Sequence, residues 1–475
     1  MTPSKEKRPD ISGPAERVAP WVLLGLIALA YANSLDGSFQ FDDWNVVVDA
    51  RGVRSLADWW AAMPGMRPLL KLSYAINAMA DRGPAGYRLV NIAVHVGNAW
   101  MAAWLLHTLG RTAAPAHEAS THAAWAAWIA ALVFALHPVQ TEAVTYISGR
   151  STSLCALFAL ASIALWVHGQ LTREAGRASQ AGSLLAFAMA LGCKEFAVVV
   201  PLVLVGCARM LPDEVIARRR PWSATRWHWL VVTAALALAL ALPRYRTLFA
   251  VSLEIRGVLS NLLAQVDGIA WLAGQLLCWS RLNADPGLAA VAGPTPRIIV
   301  IAVLMGLLAV LAFLAWRRES RAGFALLWFL AWLLPTNSVL ARLDVANDRQ
   351  LYLAMLGPAW MAGLVVARTA GAMGRKSAEA AVVVMALALL AGTHIRNRVY
   401  ATETTFWQDV VEKSPGNARA HSNLGMARAL ACDVERAQSE FQAALALEPG
   451  DTRTQINLAL LRDRALPGMP TDCLR

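Results

Sequence analysis

Residues 298–316 read IIVIAVLMGLLAVLAFLAW, a stretch with no charged side chain, ended by Arg317 and Arg318. At 1.5 Å per residue an α-helix of this length is matched to the ~30 Å hydrocarbon layer of a bilayer. In lipid a spanning segment must satisfy its backbone internally, so this stretch is a membrane helix. Working outward, similar apolar runs recur at 20–35, 89–109, 123–137, 151–168, 181–193, 196–211, 227–243, 323–340, 351–367 and 378–394, eleven in all. Of the 475 residues 57% are hydrophobic and 16% charged, and the mean hydropathy is +0.44. A soluble chain carries roughly a quarter charged residues. The expected fold is therefore an all-α, polytopic membrane helix bundle.

Orientation follows from the short basic loops. The N-terminal segment 1–19 (Lys5, Lys7, Arg8, Arg17), Arg111, Arg173, Arg177, Arg209, Arg218-Arg219-Arg220, Arg226, Arg317, Arg318, Arg321, Arg368, Arg375 and Lys376 fall on one side, which the rule makes cytoplasmic. No small-residue cleavage site follows 21–35, so that span reads as retained. The membrane domain is expected over 20–395. Eleven spans place residues 396–475 on the opposite side, the periplasmic side of a bacterial inner membrane. Segment 258–279 reads as a helix lying in the interface or re-entering from the outer side. The loop 36–88 holds Leu56, Trp59, Trp60 and Met63, then Leu69, Leu70, Leu72, Tyr74, Ile76 and Met79, the spacing of interfacial amphipathic helices. The net charge of +11 does not indicate nucleic acid, because the cations are scattered at span ends rather than gathered on one face. Anionic lipid headgroups suit them better.

The C-terminal end differs in kind. Residues 418–451 read ARAHSNLGMARALACDVERAQSEFQAALALEPGD, in which Leu424-Gly425, Ala437, Phe441, Ala444 and Pro449 have tetratricopeptide-repeat spacing. One 34-residue period upstream, Trp407 and Pro415 share the phase of Phe441 and Pro449; downstream, Leu458-Ala459 share that of Leu424-Gly425. One repeat with two partial neighbours buries too little by itself, so docking on the membrane domain is expected. Cys432 and Cys473 lie in this region and can pair only in an oxidising compartment. Cys155, Cys193, Cys207 and Cys278 sit in or beside apolar spans, as small hydrophobes.

Polar groups at the outer ends of membrane helices are candidates for function. After the first span comes Phe41-Asp42-Asp43-Trp44, where an acid can serve as a general base. Burial beside Trp44 would raise the pKa of Asp43, which makes it the preferred base, with Asp42 second. The next outer loop holds His137, Glu142, Tyr146 and Arg150; His137 and Glu142 can equally cap the helices around Pro138. Lys194-Glu195 lies between two spans, as a phosphate-neutralising pair or a self-satisfied ion pair. Asn347-Asp348-Arg349 offers a guanidinium for a phosphate. Tyr87, Asn91, His95 and Asn98 share one helix face, lining a cavity or an interhelical seam. No Cys or His spacing indicates a metal site, and the participation of a divalent ion is left open.

In order, FDDWN, RPLLKLSYAIN, GYRLVNIAVHVGNA, HPVQTEAVTYISGR, CKE, LPTNSVL and NDRQLYLA resemble the transmembrane and tetratricopeptide-repeat O-mannosyltransferases and their bacterial relatives, of the glycosyltransferase-C superfamily. The resemblance covers nearly the whole chain. It implies a transferase that takes a sugar from a polyprenyl-phosphate-linked donor and passes it to a hydroxyl of a protein or glycan on the outer face. It implies Asp43 or Asp42 as base and Glu142 as supporting acid. Lys194, Arg150 and Arg349 become candidates for the lipid phosphate, and His137, Glu195, His95 and Asn91 for the substrate cavity. The single repeat here, against long arrays in eukaryotic members, leaves acceptor and sugar open. A ligase or polymerase moving a whole lipid-linked glycan, and a non-enzymatic anchor presenting the repeat, are the competing readings.

Overall fold

The computed structural model describes residues 14–80, 83–112, 119–172, 176–216, 221–288, 291, 293–318, 320–470 and 473. Lys5, Lys7, Arg8, Arg173 and Arg218-Arg219-Arg220 lie outside the described residues. Among those described there is no strand, and the all-α membrane bundle expected from the apolar runs is what forms.

Helix α1 (Pro14–Tyr31) leads into a loop carrying α2 (Leu56–Ala61) and α3 (Pro68–Ala80). Then come α4 (Pro84–Thr112), α5 (Ala119–Leu136), the single turn α6 (Thr141–Val144), α7 (Arg150–Leu171), α8 (Gly176–Leu191), α9 (Val200–Ala208), α10 (Asp213–Ile216), α11 (Pro221–Ala241), α12 (Pro243–Ile255), α13 (Val258–Gln275), α14 (Pro296–Arg317), α15 (Arg321–Leu333), α16 (Leu351–Ala354), α17 (Leu356–Met373) and α18 (Arg375–Asn397). Among the described residues five helices are long and apolar enough to cross a membrane, or up to eight if each of three bent pairs is one span; three shorter apolar helices join them. The chain is an integral membrane protein.

Packing is close because small residues line the contacts. A Cβ on Gly363 of α17 would meet Ala126 O of α5 at 2.2 Å, so those two helices touch backbone to backbone. The bend of 53° after α5 falls at Pro138, which has no N–H to continue a helix. One span differs from expectation. Helix α15 stops at Leu333, because Pro335 cannot extend it, and 334–347 is non-helical instead of membrane-spanning to 340. Helices α12 and α13 meet at 82°, and α13 lies on that irregular segment, Asn261 donating to Ser338 O (2.7 Å) and Val339 O (3.2 Å).

The C-terminal helices are α19 (Glu403–Lys413), α20 (Ala418–Leu430), α21 (Val434–Leu447) and α22 (Thr452–Arg462). Gly425 lets the Phe441 ring seat against α20; a Cβ there would lie 2.8 Å from the ring. Phe441, Leu458, Leu461, Leu466 and Met469 form one small core, and Cys432 is disulfide-bonded to Cys473. This unit docks on the bundle. Arg419 pairs with Asp285 (2.7 Å) and Asp344 (2.6 Å), Arg396 with Asp409 (2.6 Å), and Phe41 packs edge-on against Trp407 (5.0 Å). The end of the bundle that receives it is called the repeat end below.

Candidate active site

At the repeat end, the breaks between helices bring polar side chains together. A cleft is lined by Thr152 of α7, Lys194 and Phe196 after α8, Trp332 and Thr336 around the end of α15, Arg342 and Asn347 of the irregular segment, and Arg349, Gln350 and Leu353 at the start of α16. Lys194 Nζ donates to Thr152 Oγ1 at 2.6 Å. Burial, and then the cations Arg349, Arg67 and Arg342, push its ammonium well below the usual lysine range. Burial and Arg349 likewise press Arg342 down to about 10.

Two carboxylates near these cations are already committed. Glu142 accepts the Arg349 backbone N–H (2.8 Å), its other oxygen lying 3.5 Å from Arg349 Nε. Glu195 takes the Arg67 guanidinium through two donors (2.8 Å from Nη2, 3.1 Å from Nε), so it does not pair with Lys194. Lys194 and Arg342 have no carboxylate partner among the described residues. In the cleft Arg349 has Glu142 as counter-ion while Lys194 and Arg342 have none among the described residues, so an anion arriving there would favour their charged forms.

The two adjacent aspartates face different surroundings. Asp43 is fully buried: Oδ2 accepts Gln40 N–H (3.1 Å) and Oδ1 accepts both the N–H (2.8 Å) and the hydroxyl (2.6 Å) of Ser148. Burial raises its pKa to about 6, with these hydrogen bonds opposing. Asp42 is half-buried, its backbone N–H donates to the Tyr146 hydroxyl (2.9 Å), and its carboxylate acts electrostatically on Arg349. The reversal occurs at Phe41, whose φ of +44° is unusual for a non-glycine residue. That conformation is held from outside: the Phe41 N–H donates to Glu403 of α19 (3.1 Å) while its ring sits on Trp407.

No family model matches the chain. Protein O-mannosyl-transferase Tmtc1 of Drosophila melanogaster is 31% identical over 232 residues, 45% of this chain and 25% of that protein. Protein O-mannosyl-transferase TMTC4 of Homo sapiens is 31% identical over 204 residues, 38% and 28%. Protein O-mannosyl-transferase Tmtc3 of Drosophila melanogaster is 24% identical over 515 aligned positions, 90% of this chain and 55% of that protein. The homologues of this chain are the TMTC protein O-mannosyl-transferases. The chain spans a quarter to about half of the length of the TMTC proteins it matches.

Several residues that the TMTC resemblance suggested lie elsewhere. Arg150 is fully buried and its donors are taken by Asn91 Oδ1 (2.6 Å), Asn77 Oδ1 (2.8 Å), Tyr87 O (2.7 Å) and Ser73 O (3.3 Å), with its plane over the Tyr74 and Tyr87 rings. Four of its five N–H groups are thus taken within the bundle. Asn91 and His95 belong to an interhelical seam: Asn91 donates to Val144 O (3.1 Å), and His95 lies 2.6 Å from the Tyr352 hydroxyl and 3.0 Å from Ala135 O. His137 caps the turn after α5, its Nδ1 accepting Val139 N–H (3.2 Å), and does not line the cleft. Asp43 has the raised pKa expected of it, but burial by the bundle and not by the exposed Trp44 is the cause, and both its oxygens accept hydrogen bonds from Gln40 and Ser148. Sequence reasoning missed Arg342, and named Asn347 and Gln350 only as neighbours of Arg349.

Proposed function

We propose that the chain is a membrane glycosyltransferase that moves a sugar, mannose by likeness to its homologues, from a polyprenyl-phosphate donor to a hydroxyl of a protein. The supporting observation is the group of three cations, Lys194, Arg342 and Arg349, lining one cleft, with the Asp42 carboxylate in electrostatic reach of Arg349. Asp42 takes the proton of the acceptor hydroxyl. The oxygen then bonds the sugar C1 as the C1–O bond to phosphate breaks, with inversion, and the lipid phosphate leaves with the electron pair. Its charge is held by the three cations, whose worth rises in a water-poor site. Glu142 orients Arg349, and Asp43 anchors the loop that presents Asp42.

The cleft encloses about 20 Å³ here, room for about one water. Donor admission therefore requires the cleft to widen. The repeat end is taken as the outer, periplasmic face, with residues 396–475 beyond the membrane domain. The basic loops favour this orientation, and so does the Cys432–Cys473 disulfide, a bond typical of oxidising compartments. A pure anchor would have no use for unpaired cations in a cleft. The test is Asp42→Asn, assayed with polyprenyl-phosphate mannose and a hydroxyl peptide. Transfer should fall by ~10² to 10⁴ while lipid binding persists. Full transfer in Asp42→Asn with loss in Asp43→Asn would move the role to the neighbouring residue.

A further inference from the structure

Asn347 and Gln350 line the same cleft as the three cations, yet their amides are incompletely used. Asn347 is 1% exposed, and neither its Nδ2 nor its Oδ1 has a hydrogen-bond partner. Gln350 Oε1 accepts from Asn337 Nδ2 (3.3 Å), itself held by Gln265 Oε1 (2.7 Å), while Gln350 Nε2 has none. Flipping the Asn347 amide changes nothing, because both of its atoms are unpaired. Flipping Gln350 would bring two N–H groups together.

More than nine-tenths of buried polar groups in folded proteins are paired, and leaving one unpaired is costly. Three such atoms on two side chains of one cleft point to a ligand that pairs them. A phosphate cannot do so alone, because it offers only acceptors and Asn347 Oδ1 needs a donor. A hydroxyl is donor and acceptor together, and a hexose presents several on neighbouring carbons. We infer that Asn347 and Gln350 bind hydroxyls of the transferred sugar, beside the cations that take its phosphate, and so set which sugar is accepted. This rests on the donor reading given above. A site built to hydrogen-bond a hydroxyl rejects the analogue that lacks it far more strongly than an apolar pocket rejects a bulkier one.

The experiment measures binding of two probes, polyprenyl phosphate and polyprenyl-phosphate mannose, to the full chain in lipid nanodiscs. Asn347→Ala should weaken the sugar-bearing lipid roughly tenfold and leave bare polyprenyl phosphate unchanged. Monodeoxy-mannose donors complete a cycle: the hydroxyl whose removal weakens binding to the unaltered chain should cost nothing further in Asn347→Ala. The deoxy series on the unaltered chain also serves by itself should the variant fail to fold. Equal weakening of both lipids, or no deoxy donor that binds less tightly, would overturn the inference and leave the phosphate site standing. Failure of either lipid to bind the unaltered chain would remove the donor reading, and this inference with it.

Discussion

The seam inside the bundle and the cleft at its repeat end are built from the same side chains, arginine and asparagine, set a few residues from helix breaks. In the seam the arginines and Asn91 are satisfied, and of Asn98 only the amide oxygen is left over. Arg88 donates to Thr145 O (3.0 Å), Gly37 O and Ser38 O (2.6 Å), and Arg150 and Asn91 complete each other (2.6 Å). In the cleft Arg342 has no carboxylate partner among the described residues, and both Asn347 amide atoms are unpaired. The seam holds loops 36–44 and 141–150 onto α4; the cleft has spare capacity for something else. A charged residue at a helix end is therefore not evidence of function until its partners are known.

The largest effect should come from breaking the seam. Arg150→Met strands the acceptors of Asn91, Asn77 and Tyr87, at ~1–3 kcal/mol for each buried group left unpaired. Little folded protein should be recovered by size exclusion, and Arg150→Lys should not restore it, since an ammonium cannot reproduce the planar fork. Normal folding with lost lipid binding would return Arg150 to the phosphate site.

Next comes Asp43. Its folded pKa, raised from 3.8 to about 6, means the folded state holds a proton that the unfolded chain has released between those values. Its contribution is full below about pH 4 and is lost as pH rises through about 6. Two pH units at 1.36 kcal/mol each give on the order of 3 kcal/mol. Unfolding free energies of the parent chain minus Asp43→Asn should decline by that amount from pH 4 to pH 7. A flat difference would mean that Asp43 is not buried as described.

The smallest effect belongs to Arg342→Gln. Stability should hold or rise slightly, because the charge it removes has no partner, while transfer falls roughly 10- to 100-fold through lost phosphate stabilisation. A large drop in melting temperature with unchanged transfer would reverse the contrast between seam and cleft.

Much of this was legible in the sequence. Apolar runs marked the helices, and the 34-residue phase linking Trp407 to Phe441 marked the repeat, because burial in each case follows a period. Lys194 and Arg349 were legible because they interrupt apolar stretches. The different surroundings of Asp42 and Asp43 were not, since they turn on the φ of Phe41, which α19 enforces from more than 350 residues away. Arg342 was hidden in a segment without periodicity, and Arg150 misled because its acceptors, Asn77 and Tyr87 O, are distant in sequence.

The most direct test is an electron cryomicroscopy structure of the full chain with polyprenyl phosphate. The phosphate should lie within hydrogen-bond distance of Lys194 Nζ and the Arg342 and Arg349 guanidinium groups, with the cleft wider than here and Arg150 still on Asn91. A phosphate bound elsewhere, with Lys194 still on Thr152 and the cleft closed, would contradict the assignment of this cleft as the donor site.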